Sequence, residues 1–402
     1  MMKHVYVLDE DGIGSIYGIN TYICNLLKIF PVENFSITVF KLYSKETILD
    51  VVYDKHIRYI YVPDMDMKYK NDYYYRNIFY LILPYINPEH YNILHLNYRS
   101  CIDLAYLLKY ELRFKILLVW HYQTWIDLLI ESDVDKVLSN KVKRLSAIEE
   151  QFCKEYAKDN ELLKCCDGII LLADHSYLRL NKMFDLKTQR IFIVNNGIED
   201  KYVSNINRDT LKVKFEFDVS DKIVLYVGRL DSNKNPSVLI SAFDKLKQCF
   251  NNLKLVIVGQ GNFRQPLSIL YPRYKNIIFT GFLEQEQLSE LYRIADLGVI
   301  PSHYEEFGYV ATEMLMYGIP IISNKSSGLS DVIGSDLYGD LIDLYRSDNQ
   351  EDSINLLASS MARLLLDQDR RVLLSKNARL RYLEKFSIDI FKQKMIEVYN
   401  AI

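Results

Sequence analysis

SHYEEFGYVATEMLMYGIPII, residues 302–322, holds three local signals in a row. Phe307-Gly308-Tyr309 is a turn at which a helix begins. The pattern runs on over 308–318 as a helix, and Gly318-Ile319-Pro320 stops it and leads into an apolar strand over 319–324. LGVIPS (297–302) upstream is a strand of the same kind. Strand, glycine turn, helix and strand make one unit of a parallel α/β sheet. Glu305 lies before the turn and Glu313 inside the helix.

The same unit recurs along the chain. HVYVL (4–8) is a continuous apolar strand, followed by the glycine-bearing loop DEDGIGSIYGIN and a helix over 20–30 with Ile23, Leu26, Leu27 and Phe30 on one face. Further strands are expected at 37–42, 57–62, 92–96, 115–121, 168–173 and 190–196. The polar stretch NGIEDKYVSNINRDTLK (196–212) breaks the pattern and reads as a linker. A second series starts at KIVLYVGRL (222–230). It continues with a helix over 235–248, strands over 253–261 and 276–283, a helix over 285–296 and amphipathic helices in the tail. The expected architecture is α/β: two doubly wound, Rossmann-like parallel-sheet domains facing a cleft. The expected divisions are 1–200, 201–380, and a C-terminal helix at 381–402 packed back on the N-terminal domain.

The chain has 402 residues, 49% apolar and 25% charged, enough for two cores and too apolar for disorder. Residues 1–200 hold 24 Lys+Arg against 27 Asp+Glu and residues 201–402 hold 25 against 25, so neither half carries the basic footprint of a nucleic-acid binder. The six cysteines form no C-x-x-C pair and read as small thiols in a reducing compartment. MMKHVYVLDEDG has no signal-peptide core, and the longest apolar run, 77–86, is short for a bilayer and contains Pro84. These features set the expectation of a cytoplasmic protein. The inner face of the membrane is the variant that residues 68–86 would serve.

In parallel sheets ligands bind at the carboxyl ends of strands, near helix N-termini. Glycine loops stand there at 12–18, 227–235, 258–262 and 305–309. In VGRLDSNKN, Arg229 and Lys234 lie five apart beside a helix start. A guanidinium fork and a point charge so placed suit a diphosphate, with a solvated surface pair as the plain alternative. The N–H groups of the turn at Phe307-Gly308-Tyr309 favour an anion. Glu313, about one and a half turns on, can accept two hydrogen bonds from a ribose cis-diol. Glu305, before the helix, can take hydroxyls of whatever the phosphates carry. The spacing fits a sugar nucleotide laid across a helix N-terminus.

The segment P-S-H-Y-E-E-F-G-Y-V-A-T-E-M-L-M-Y-G-I-P-I-I resembles the E-x7-E signature of the family 4 retaining glycosyltransferases of GT-B fold. V-G-R-L-D-S-N-K-N, V-G-Q-G-N, F-T-G-F-L, Y-R-I-A-D and V-N-N-G-I-E-D are similar to that family in order and spacing across roughly 190–335. Y-G-I-N-T-Y-I and V-W-H-Y-Q-T-W resemble its N-terminal half more loosely. The resemblance implies that Arg229 and Lys234 hold the diphosphate and stabilise the leaving group, Glu313 binds ribose and Glu305 the donor sugar. It places Phe307, Gly308 and Tyr309 around phosphates and sugar, and Phe282 and Leu283 at the base. Gly228 and Gly259 are implied in the donor loops. Gly14 and Gly18 would let the N-terminal loop approach the donor, and His121 would sit beside the sugar.

Implied with them is sugar transfer from a nucleotide-diphosphate sugar, a UDP-sugar favoured, to a glycan, lipid-linked or peptide acceptor, without cofactor or metal. The departures are Glu306 where glycine is common, Asp331 where glutamate is usual, a single Gly328 in place of two glycines, and a longer loop carrying Asp9, Glu10 and Asp11. The competing expectations are a silent sugar-nucleotide binder or another enzyme of this fold, an epimerase or a phosphorylase.

Other motifs carry less. Asp64-Met65-Asp66 spells D-x-D but sits on a connection. Asn34-Phe35-Ser36 is a formal sequon. His95 and Asp103 read as structural and His175 as part of a helix start. Residues 68–86 and 140–145 read as packed helix or as membrane or acceptor contacts.

Overall fold

The computed structural model describes residues 2–10, 18–65, 72–121, 146–203, 207–246, 249–262, 276–347 and 349–402. It contains two compact units, Met1–Val194 with Lys392–Ile402, and Asn195–Phe391.

The first unit holds strands β1 (Lys3–Glu10), β2 (Phe35–Ser44), β3 (Asp50–Asp54), β4 (Ile57–Pro63), β5 (Tyr91–Leu96), β6 (Lys115–Trp120), β7 (Gly168–Leu171) and β8 (Ile191–Ile193). Their order in the sheet is β3-β4-β2-β1-β5-β6-β7-β8. All neighbours are parallel except β3 with β4. Central β1 is covered on both faces: Val5, Tyr6, Val7 and Leu8 are fully buried, which is why its sequence is a continuous apolar run. β3 departs from the expected all-parallel repetition. It is a short edge hairpin with a mostly exposed, charge-ended sequence that carries no apolar alternation.

From β1 the chain moves outward through β2 and β4, then returns beside β1 at β5. The sheet therefore reverses between β1 and β5, and Asp9 and Glu10 stand at that carboxyl edge with Asn97 just after β5. The end of the last helix (Ile388–Ala401) is tied to this unit: Lys3 Nζ donates to the Tyr399 carbonyl at 2.7 Å, and the Tyr399 hydroxyl meets His95 Nδ1 at 2.9 Å.

The second unit holds β9 (Lys222–Val227), β10 (Leu253–Val258), β11 (Ile277–Gly281), β12 (Leu297–Ile300), β13 (Ile321–Asn324) and β14 (Asp340–Ile342). The order is β11-β10-β9-β12-β13-β14, parallel throughout. Leu239 and Phe243 of the helix Pro236–Leu246 pack in one core with Leu357 and Met361 of the helix Gln350–Leu366. Each such side chain contributes about 1.5–3 kcal/mol by leaving water. This sheet reverses between β9 and β12, so the loops after those two strands meet at its switch point.

The stretch expected as a linker is built into the second unit. The Ile198 N–H donates to the Phe386 carbonyl at 2.9 Å and its carbonyl accepts from the Tyr382 hydroxyl at 2.9 Å. Asn207 caps the helix Arg208–Lys214 through the Asp209 N–H at 2.9 Å. The units accordingly divide after Val194, against an expected 200. The helix Gln368–Lys385 stays in the second unit past 380, held by Arg381, whose Nη2 donates to the Asp331 carbonyl at 2.7 Å.

Candidate functional site

The loop after β9 is held from within. The Tyr226 hydroxyl donates to the Arg229 carbonyl at 2.7 Å. Asp231 works twice: Oδ1 accepts the Lys234 N–H at 2.9 Å and Oδ2 pairs with Arg229 Nη2 at 3.1 Å. The loop after β10 lies against it. The Gly228 N–H donates to Val258 O at 3.0 Å. A Cβ on Gly259, whose φ is +142°, would stand 1.8 Å from the Gly228 carbonyl oxygen. Two backbones touch here, so glycine at 259 is a packing requirement first.

Across the switch point runs the stretch after β12. Gly308, at φ +100°, turns the chain into the helix Tyr309–Met316. The first turn of that helix carries N–H groups without intrahelical acceptors. Lys234 Nζ forms an ion pair with Glu305 Oε1, which also accepts from the Ser302 hydroxyl at 3.0 Å. The Lys234 side chain is 18% exposed against 48% for Arg229, so the lysine is the enclosed cation and the arginine the open one. Phe307 is buried edge-on against Phe386, so its side chain supports the turn from below.

Glu313 lies further in and is partly buried. The Tyr292 hydroxyl donates to its Oε2 at 2.7 Å. Burial pushes its carboxyl pKa up, opposed by the Tyr292 hydrogen bond and by the Lys201 charge. Phe282 is 61% exposed just past β11, followed by the half-buried Leu283. Arg229, Lys234, Glu305, Phe307, Gly308, Tyr309 and Glu313 thus belong to the carboxyl-edge loops and helix of one sheet, where α/β sheets take ligands.

His121 follows β6 in the first unit. Its Nε2 meets Asn97 Oδ1 at 2.9 Å and its ring packs edge-on to Tyr22 at 4.8 Å. Burial lowers its pKa to about 3, which keeps the imidazole neutral. Gly18 opens the helix Gly18–Lys28. His95 is fully buried, with Nε2 on the Tyr22 hydroxyl at 3.1 Å and Nδ1 on Tyr399, which fits a structural role.

Gly14, Asp11, Asp66, residues 68–71 and 140–145 lie outside the described residues. The Asp64 N–H donates to Ser44 O at 3.1 Å. In the helix Asp72–Ile82, Tyr74, Tyr75, Ile78, Phe79 and Ile82 are buried while Tyr73 and Tyr80 are exposed, so it is a packed helix with an aromatic outer face. Among the described residues, no helix is long and apolar enough to cross a membrane.

Sequence reasoning did not find Tyr292 and Lys201 beside Glu313, Ser302 beside Glu305, or Asn235, His303 and Tyr345 behind Lys234. Ser302 and His303, three and two residues before Glu305, and Asn235, one residue after Lys234, are local neighbours of the candidate residues. Tyr292, Lys201 and Tyr345 come from distant segments, and no spacing rule reaches them.

Residues 207–381 match the family model of glycosyl transferases group 1. That span includes Arg229, Lys234, Glu305 and Glu313. A glycosyltransferase of Methanocaldococcus jannaschii, itself uncharacterized, is 31% identical over 227 residues, 54% of this chain and 56% of that protein. The chain spans about half the length of the curated relatives it matches. Sucrose-phosphate synthase from Thermosynechococcus elongatus superposes with a TM-score of 0.76 at 20% identity, covering 99% of this chain and 98% of that one. Anabaena HepE in complex with UDP-glucose gives a TM-score of 0.70 at 14% identity, covering 99% and 100%. The fold is GT-B, and residues 207–381 are similar to glycosyl transferases group 1.

Proposed function

We propose that the chain is a retaining glycosyltransferase of family 4 that moves a sugar from a nucleotide-diphosphate sugar to an acceptor hydroxyl. The observation that carries this reading is the grouping of Lys234, Glu305 and the Gly308 helix start at the β9/β12 switch point, with Glu313 deeper in the same helix. Arg229, Lys234 and the helix N-terminus stabilise the negative charge that develops on the departing nucleoside diphosphate. Glu313 accepts the ribose diol and Glu305 the hydroxyls of the donor sugar. Neutral His121 offers a ring nitrogen to a sugar hydroxyl.

With these fixed charges the reaction needs no bound metal, and the acceptor is a glycan, a lipid-linked sugar or a peptide. The UDP-glucose complex of the fold neighbour from Anabaena favours a UDP-sugar. The chain would work in the cytoplasm, and the exposed Tyr73 and Tyr80 would suit the inner face of a membrane.

The test is a thermal-shift screen against UDP, GDP and ADP and their sugar conjugates. A ligand at one hundred times its Kd adds about 2.7 kcal/mol, which a melting scan resolves. Stabilisation by one nucleotide family supports the reading, and none by any of them refutes the site. The anomeric signal of the product by NMR then tests retention, and an inverted product would reject it.

A further inference from the structure

Behind Lys234 is a second set of contacts that the proposed chemistry does not use. Asn235 adopts a left-handed backbone, φ +45°, one residue after the enclosed cation. Its Nδ2 donates to the Tyr345 hydroxyl at 2.8 Å and meets His303 Nε2 at 3.2 Å. The Tyr345 hydroxyl in turn donates to the Pro301 carbonyl at 2.5 Å, and its ring stacks on His303 with centroids 3.7 Å apart. Two further bonds join the same segments: the His303 N–H donates to Asn233 O at 2.8 Å, and Asn233 Nδ2 donates to Tyr304 O at 3.2 Å.

Asn233 and Asn235 flank Lys234, while Pro301, His303 and Tyr304 precede Glu305. Every one of these bonds joins the cation-bearing loop to the carboxylate-bearing loop, directly or through Tyr345. Tyr345 itself comes from the segment after β14. The enclosed Lys234–Glu305 pair is thus one end of a longer seam. Without the seam, a lysine on a flexible stem would sample many positions around Glu305.

We infer that Asn235, Tyr345 and His303 form a latch that sets Lys234 and Glu305 at a fixed separation, and that they are positioning residues for the diphosphate and sugar of the donor. The inference rests on the proposed donor site for its catalytic consequence, but the latch itself is testable without any donor. Asparagine suits position 235 on two counts. It tolerates the left-handed conformation that the turn requires, and it brings an amide that glycine would lack.

The experiment compares the wild type with Tyr345→Phe and Asn235→Gly, both of which keep the backbone allowed. The first readout is the rate of Lys234 acylation by a small amine-reactive ester, followed by peptide mass spectrometry. The expected result is a several-fold faster modification of Lys234 in both variants, with the other lysines unchanged. The second readout is turnover of the nucleotide-sugar that the screen selects. A misplaced phosphate cation should lower kcat by roughly tenfold at near-constant KM, the pattern of a lost transition-state contact. Equal Lys234 acylation in all three proteins would overturn the latch. Faster acylation of the variants in a protein whose wild type binds no nucleotide would keep the latch and refute the donor reading. Wild-type behaviour of Asn235→Gly in both readouts would show that the amide fixes nothing.

Discussion

Glu313→Gln separates stability from binding at the candidate site. The carboxylate is partly buried, accepts one hydrogen bond from Tyr292 at 2.7 Å, and has its pKa raised above the ordinary 4.5 by burial. A carboxyl with a raised folded-state pKa binds its proton more tightly folded than unfolded. Its contribution therefore falls as pH rises through the window above 4.5 and is least favourable at neutral pH. Glutamine keeps an acceptor for Tyr292 and removes the buried charge. The variant should melt higher than wild type at pH 7.5, and the gain should vanish below the ordinary carboxyl pKa.

Nucleotide binding should move the other way. A hydrogen bond to a charged acceptor is worth about 1.5–3 kcal/mol, against about 1 for a neutral one. Replacing a carboxylate that takes both ribose hydroxyls by an amide that can accept at only one oxygen should cost about 2 kcal/mol, roughly thirtyfold in Kd. Titration calorimetry of the nucleoside diphosphate reads the loss, and differential scanning calorimetry at two pH values reads the gain. Unchanged affinity refutes the ribose role. A lower melting temperature at pH 7.5 refutes the buried-charge reasoning.

Gly259→Ala would drive a methyl to 1.8 Å from the Gly228 carbonyl at φ +142°. It should cost about 3 kcal/mol or more, roughly 6–12 °C in melting temperature for a unit of this size; a shift under 2 °C, by contrast with about 6 expected, would show that the two loops separate freely. Lys234→Ala should lower kcat/KM by about 10²–10³-fold in a folded protein, and near-wild-type turnover would remove the lysine from the mechanism. His4, His95 and His121 have pKa values lowered to about 4, 3 and 3 by burial. Each is neutral when folded yet protonates near 6.5 when unfolded, so stability is full above 6.5 and falls as pH drops, by about 1.4 kcal/mol per unit per histidine. Urea unfolding at pH 7.5 and 5.5 measures the fall, and equal stabilities would contradict it. EDTA should leave sugar transfer intact; loss that Mn²⁺ restores would point to a metal role.

Much of the fold was legible from local pattern. HVYVL and KIVLYV are continuous apolar runs because β1 and β9 are covered on both faces, and the glycine turns mark where strand gives way to helix. Arg229, Lys234 and Glu305 were legible as candidates because each stands at such a boundary, and Glu313 because it is a lone carboxylate in the largely apolar helix that follows. β3 was not visible, since an exposed edge strand has no apolar face to leave a period. The unit boundary was misplaced because Ile198 is held by Phe386 and Tyr382, nearly two hundred residues away.

The sequence by itself determined the strand–turn–helix repetition, the two parallel sheets and the residue types at their carboxyl edges. Tertiary structure alone decided which edges meet: that β9 and β12 are neighbours, so that Lys234 faces Glu305, and that Tyr292 and Tyr345 stand behind Glu313 and Asn235. The physical reason is range. Backbone periodicity and turn chemistry act over a few residues and leave a written trace. A hydrogen bond between residues 110 positions apart leaves none, because either partner is an ordinary surface residue until the sheet brings them together.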